Sequence, residues 1–411
     1  MNSSKYLVLG GGMVAGYAAR EFAERGAARG ELAIVSADDA LPYERPPLSK
    51  GFLKGVDTEA SVFINDAAYY SAQGIEVRLN TPVERADLIN HKLQLRGGGE
   101  WRFEKLLIAT GSRVRKLQVP GAGLDGVFYL RTLDDSRRIR DHAVGGLRAV
   151  VIGGGFIGME AASSLAQRGL DVTLVLAEDR MGQRQFTPEI SAFFRGYYEA
   201  RGVKVLPGTT VAGVVGKGKV ESVSTAKPDR LPADLVVAGI GVTPETALFE
   251  NTGAAIDNGV LVNQFLETSV PGVYAAGDVA NYRDVLFGRQ RRVEHWDNAV
   301  SQGQHAARVM AGLREPFEHV PYFFSDVFDL SYEFWGDSSA SDRIVTRGNP
   351  ASTSFSVWWL LEGRLAAAFV MARPEQERDL AQEWIRSREP VSADALADSS
   401  RPLERAHHGS A

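Results

Sequence analysis

Tyr6-Leu7-Val8-Leu9-Gly10-Gly11-Gly12-Met13-Val14-Ala15-Gly16 is an apolar run that ends in glycines and passes into a helix-like stretch. Ala149-Val150-Val151-Ile152-Gly153-Gly154-Gly155-Phe156-Ile157-Gly158 repeats it. Each copy has the spacing of a dinucleotide-binding turn, with Gly10, Gly12 and Ala15 in the first and Gly153, Gly155 and Gly158 in the second. Such glycines turn the chain tightly and let backbone N–H groups reach a pyrophosphate at the positive end of a helix. Both copies continue with a small residue four positions on and a glycine seven beyond it: Ala19 and Gly26, then Ala162 and Gly169. Alanine at position 15 still permits close packing of helix on strand. Two such units in one chain predict an α/β protein that binds two nucleotides.

Composition narrows the chemistry. A chain of 411 residues, 44% of them hydrophobic, is long enough for two or three domains. Its formal net charge of -5 argues against nucleic acid as the main partner. No apolar run reaches the length of a membrane span, and the first strand begins within a few residues of the N-terminus, which predicts no secretory leader and a cytoplasmic protein. The chain has no cysteine, so a redox disulfide, a sulfenate and thiolate-held metal are all excluded. Electrons must leave directly from a bound organic cofactor.

The alternation of a parallel sheet runs from Tyr6 to Gly111 and, after the linker Val119 to Gly123, resumes from Ala149 to about Ile240. The run Val273-Tyr274-Ala275-Ala276-Gly277-Asp278 reads as a return to the first domain. The expected plan is therefore a first nucleotide domain of residues 1–115 and 241–315, a second of residues 116–240 inserted into it, and a C-terminal α+β domain of residues 316–390. In that last domain alternating segments such as Phe355 to Leu361 predict an antiparallel sheet with one face covered. Residues 391–411 read as an irregular tail, with His407 and His408 as solvated residues. His91, His142, His305 and His319 have no partner pattern and are expected to be structural.

An acid after the second strand of such a unit receives ribose hydroxyls. Asp38 fills that place first and Glu178 second. Glu178 favours NADH, because a carboxylate repels the 2′-phosphate of NADPH; Arg180 and Arg184 stand near enough in sequence to soften this.

At these residues the chain resembles the FAD-dependent reductases that include monodehydroascorbate reductase, ferredoxin and rubredoxin reductases, and apoptosis-inducing factor. The resemblance covers nearly the whole chain. It is carried by Pro42-Tyr43-Glu44-Arg45-Pro46-Pro47-Leu48-Ser49-Lys50, Tyr129 to Leu133, Gly153 to Ala162, Tyr274 to Val279 and Arg292-Val293-Glu294-His295-Trp296. Phe186 to Val203 and Tyr322 to Ser331 look most like plant monodehydroascorbate reductases. The family fold is glutathione-reductase-like: two Rossmann-like domains and a C-terminal α+β domain. The resemblance implies that Gly10, Gly12 and Ala15 hold the FAD pyrophosphate, with Asp38, Arg45, Lys50, Arg131 and Asp278 on other parts of FAD and Trp296 against the flavin ring system. It likewise implies that Gly153, Gly155, Gly158 and Glu178 hold NAD, with Gly241, Glu294 and His295 near the nicotinamide end. Glu160 matches a family glutamate near the flavin that pairs with the lysine at position 50. A cation there stabilises negative charge on the flavin.

Without cysteine, these sites imply hydride transfer from nicotinamide to flavin and single-electron delivery to an acceptor. Plant monodehydroascorbate reductases carry an arginine and a tyrosine for the ascorbyl radical where this chain has Val300 and Phe324. Arg289, Arg291 and Arg292 stand nearby as substitutes, and equally as contacts for an acidic ferredoxin. Three readings follow: a reductase of a small radical or quinone, most like monodehydroascorbate reductase; a ferredoxin or rubredoxin reductase, favoured by Trp296 and the arginines; and an interaction protein that senses NADH.

Overall fold

The computed structural model describes residues 2–27, 29–228 and 230–406. His407 and His408 lie outside them. The chain divides into two compact units, residues 1–46, 58–113 and 242–319 in one and residues 47–57, 114–241 and 320–411 in the other.

The first unit is built on a seven-stranded sheet. Its parallel part runs in the order Glu76–Arg78, Leu32–Val35, Asn2–Leu9, Glu100–Ile108, with Val273–Ala275 also paired to Glu100–Ile108. Leu9 stands opposite both Val35 and Ile108, so three strand ends open at one level beside Gly10. An antiparallel hairpin of Val83–Asp87 and Lys92–Leu95 extends the sheet, a departure from the purely parallel run expected there. Leu7, Val8, Ile34, Leu107 and Ile108 are fully buried, each worth about 1.5–3 kcal/mol against exposure. The helix Met13–Glu24 turns Val14, Ala18 and Phe22 inward at four-residue spacing. It packs on the helix Trp296–Met310, where Gly303 permits the approach: a Cβ there would stand 2.8 Å from the Val14 carbonyl oxygen.

The second unit repeats the design with five parallel strands in the order Lys204–Leu206, Asp171–Val175, Arg148–Ile152, Leu235–Ala238, Val127–Tyr129. Ile152 faces Val175 on one side and Ala238 on the other. The helix Phe156–Gln167 is buried from Gly158 to Leu165 on every face. Residues 47–57 belong here as a strap over that helix, with Ser164 Oγ donating to the Ser49 carbonyl, Ser136 Oγ to that of Leu48, and Arg168 to those of Leu53 and Lys54.

The same unit includes the C-terminal antiparallel sheet, ordered Tyr322–Val327, Leu330–Gly336, Arg364–Met371, Phe355–Leu361, Arg343–Gly348. The expectation of one covered face fails for its inner strands: Phe355 to Leu360 are buried without a break. Trp384 of the helix Glu375–Ser387 lies against Trp358 on one side, while Phe193 meets Phe355 and Phe194 meets Phe369 on the other. The tail is also more ordered than its composition suggests. Ser392 caps the helix Ala393–Ala397 and Leu396 is fully buried. Buried Arg347 donates to the carbonyls of Leu396, Asp398 and Arg401, so the segment's polar backbone is satisfied from within. Burial pushes the Glu377 carboxyl up, but Arg373 and Arg347 together hold it below its ordinary value.

Candidate active site

Both glycine turns adopt the backbone their spacing predicts. Gly10 has φ +124° and a Cβ on it would stand 2.2 Å from the Ala109 carbonyl oxygen; Gly153 has φ +118° and a Cβ 2.3 Å from that of Gly239. Gly12 and Gly155 then cap their helices with no side-chain hydrogen bond, leaving first-turn N–H groups for an outside acceptor. Nothing lies within 4 Å of a Cβ built on Gly155, and only Arg45 Nη2, at 4.0 Å, approaches one on Gly12. Open approach, backbone donors and a guanidinium fit a diphosphate. Deeper in the first unit, Gln302 accepts from the Gly277 N–H at 2.8 Å while its fully buried Nε2 has no hydrogen-bond partner. A buried donor beside Gly277 and Asp278 suits an acceptor-rich bound group.

Within the first unit, Asp38 accepts from Tyr43 Oη at 3.0 Å and from the Ala40 N–H, and the Arg45 guanidinium lies 5.4 Å from the Tyr43 ring. Asp278 accepts from Ser112 Oγ at 2.7 Å. Trp296 opens the helix Trp296–Met310, with His295 as its cap residue, and its indole Nε1 donates to Glu44 at 2.6 Å. The other Glu44 oxygen accepts from Tyr17, whose phenol is held well above its ordinary pKa by burial and by that carboxylate. Glu294 is exposed and paired with Arg292.

Within the second unit, Lys50 and Glu160 meet: Nζ donates to Oε1 at 3.0 Å. Glu160 is only 4% exposed, and two hydroxyls complete it, Ser325 Oγ at 2.6 Å on Oε1 and Ser49 Oγ on Oε2. The Lys50 ammonium also sits 4.6 Å from the centre of the Phe324 ring. Three donors from two segments, residues 47–57 and the strand Tyr322–Val327, satisfy both oxygens of this deep carboxylate. Arg131 precedes Thr132, which forms a capping box with Asp135 at the helix Leu133–His142. Gly241 has φ +98° and accepts from the Arg115 N–H. Glu178 is exposed at the end of its strand. Arg180 is spent locally, donating to the Phe186 carbonyl at 2.6 Å and to Ser191, whereas Arg184 is exposed.

The residues implied for FAD thus divide: Gly10, Gly12, Ala15, Asp38, Arg45, Asp278 and Trp296 fall in the first unit, Lys50 and Arg131 in the second. Those implied for NAD divide too, with Glu294 and His295 in the first and Gly153, Gly155, Gly158, Glu178 and Gly241 in the second. Of the three arginines, Arg291 pairs with buried Asp284 at 2.9 Å and Arg292 with Glu294, and Arg289 is exposed. Of the histidines, His91 stacks on Phe103, His142 lies against Phe128, and burial pushes the His305 imidazole pKa down. His319 pairs with Asp297. Among the described residues no acid–histidine cluster suits a metal ion, and no helix is long and apolar enough to cross a membrane. Sequence reasoning missed Ser325, Gln302 and Tyr17. A hydroxyl or amide inside an apolar strand or helix carries no spacing signal of its own.

Comparison with known proteins gives this geometry its family. The chain is 36% identical over 409 residues to monodehydroascorbate reductase of Pisum sativum, covering 93% of this chain and 94% of that one. It is 36% identical over 411 residues to monodehydroascorbate reductase 4, cytosolic, of Oryza sativa subsp. japonica, covering 94% of each. Among solved structures it is similar to the covalent putidaredoxin reductase–putidaredoxin complex, with a TM-score of 0.94, 33% identity and 98% of each chain covered. Residues 322–407 match the reductase C-terminal family. Residues 4–303 match the family described as pyridine nucleotide-disulphide oxidoreductase, and with two formed glycine turns and a cysteine-free sequence the chain belongs to that family as an oxidoreductase without a disulphide of its own.

Proposed function

We propose that the protein is an FAD-dependent NADH reductase that delivers electrons to a one-electron acceptor of the monodehydroascorbate kind. The observation that carries this reading is the buried Lys50–Glu160 pair in a chain with no cysteine. FAD, when bound, accepts hydride from the nicotinamide and releases electrons singly. Gly10, Gly12 and Arg45 would hold its diphosphate, Asp38 its ribose and Asp278 its ribityl chain. Gly153, Gly155 and Gly158 would hold the diphosphate of NADH. Glu178 would select against a 2′-phosphate, with Arg180 turned away on Phe186 and Ser191. Lys50, fixed by Glu160, would supply the cation for charge on the flavin. The cytoplasm is the proposed location, as the rice relative's name gives for that protein.

A second reading is a ferredoxin reductase. It is favoured by the likeness to putidaredoxin reductase and by Phe324 standing where an ascorbyl-binding tyrosine is expected, since a ring without a hydroxyl offers an anionic, hydroxyl-rich substrate no hydrogen bond. The FAD-loaded protein should consume NADH rapidly with ferricyanide, and with monodehydroascorbate radical generated enzymatically in the cuvette. Fast ferricyanide turnover with no response to the radical would remove the small-radical assignment and leave the protein acceptor.

A further inference from the structure

The carboxylate of Glu160 is held by three donors from two segments of the second unit. Oε1 accepts from Lys50 Nζ at 3.0 Å and from Ser325 Oγ at 2.6 Å, and Oε2 accepts from Ser49 Oγ. Ser325 is fully buried, Ser49 nearly so, and Glu160 lies in a helix buried all round. Ser49 belongs to the strap, whose carbonyls are fastened by Ser136, Ser164 and Arg168. Ser325 belongs to the edge strand Tyr322–Val327 of the C-terminal sheet, next to Phe324, over whose ring the Lys50 ammonium sits. One strand therefore touches both members of the ion pair: Ser325 the carboxylate, Phe324 the ammonium.

The backbones of strap and helix are fixed without the two hydroxyls. What they leave adjustable is the terminal torsion of Glu160, which is broad for a carboxylate, and with it the direction in which Lys50 is drawn. One hydroxyl on each oxygen removes that freedom. We propose that Ser49 and Ser325 are positioning residues for the reductase reaction, holding the Glu160 carboxylate in the orientation that fixes the Lys50 ammonium. By this route the C-terminal domain takes part in nicotinamide-to-flavin transfer. The inference rests on the reductase reading proposed above.

Ser49→Ala and Ser325→Ala each remove one oxygen and keep the Cβ. In the FAD-loaded protein each single variant should slow flavin reduction by NADH about tenfold, the scale of one lost charge-assisted hydrogen bond, with KM for NADH unchanged. Independently of turnover, the Lys50 ammonium resonance in nitrogen-15 NMR of the resting full chain, assigned with Lys50→Arg, should be sharp in the parent and broadened or shifted in both variants. Ser331→Ala, at an exposed position on the neighbouring strand, should alter neither. An unchanged resonance and parental reduction rate in whichever variant folds overturns the inference. Glu160→Gln separates the two levels: if it leaves flavin reduction untouched, the role of the ion pair itself falls, whereas a slow Glu160→Gln beside a fast Ser325→Ala and Ser49→Ala removes only the positioning role.

Discussion

The two nucleotide folds share one plan and differ at one atom of their glycine turns. In both, a central strand ends in a glycine of positive φ pressed against a neighbouring strand, and a second glycine caps the following helix with no side chain. At the third position the first fold has fully buried Ala15 while the second has Gly158, where a Cβ would stand 1.9 Å from the Gly153 carbonyl oxygen. The first helix start thus has room for a methyl group and the second has none. A fingerprint position that tolerates either residue in general is fixed in each copy by how closely its own helix approaches its own turn.

The largest expected effect breaks that comparison directly. Gly158→Ala gains helix propensity of about 1 kcal/mol but forces a methyl into backbone that cannot move aside, and overpacking of this kind costs about 3 kcal/mol or more. The variant should lose thermal stability in the second unit and bind NADH at least tenfold more weakly in a fluorescence titration. Ala15→Gly in the first fold leaves only a small void and a looser helix start, and should cost about 1 kcal/mol with FAD retained. A Gly158→Ala protein that unfolds and binds like its parent would show that close approach is not why glycine stands there.

The shared plan was legible because it rests on local pattern. Apolar runs ending at Leu9 and Ile152, glycines at fixed offsets and acids at Asp38 and Glu178 are each set within some thirty residues. The Lys50–Glu160 pair was also anticipated, but only through resemblance, since the two residues are 110 apart and no spacing links them. Ser325 is 165 residues from Glu160 and sits among aromatics whose alternation says strand and nothing of which hydroxyl meets a carboxylate. Sequence order puts the strap at 47–57 with the first domain, but side chains of the second unit fasten its backbone. The tail misled through its composition, because the charge that orders it, Arg347, lies some fifty residues upstream.

An intermediate effect sharpens the comparison at the two acids. Asp38 is already engaged by Tyr43 and Ala40, whereas Glu178 stands exposed. Glu178→Ser should therefore change the choice of nucleotide: kcat/KM for NADPH relative to NADH should rise roughly tenfold or more, the scale of one removed charge repulsion at close range. Asp38→Ser should loosen Tyr43 and lower FAD retention on gel filtration without altering that ratio. If Glu178→Ser leaves the ratio where it was, exposed Arg184 and not Glu178 governs the 2′ position.

The smallest effect lies away from the glycine turns, where each fold fastens its central strand with an ion pair. In the second fold, Asp234 accepts from Arg148 through the backbone N–H, Nε and Nη2, and this lowers its carboxyl pKa to about 2. In the first, Lys5 reaches Glu31 at 3.2 Å from an exposed position, and that hydrogen bond raises the Lys5 pKa. The signs are opposite. A depressed carboxyl contributes stability that is present above its unfolded value near 3.8 and is lost as pH falls through about 2. A raised lysine contributes below its unfolded value near 10.5 and loses that contribution as pH rises through its folded value. Both pairs face solvent, so the Asp234 contribution is discounted to about 1 kcal/mol. In urea unfolding, Asp234→Asn should be about 1 kcal/mol less stable than the parent at pH 6, and the gap should narrow as pH drops below 4. Lys5→Gln should differ from the parent at pH 6 and should lose that difference on the alkaline side, as pH rises through the raised folded value of the lysine. A gap at Asp234 that stays constant down to pH 3 would mean that the three-donor clamp acts through shape alone, and the two bolts would then differ in geometry and not in charge.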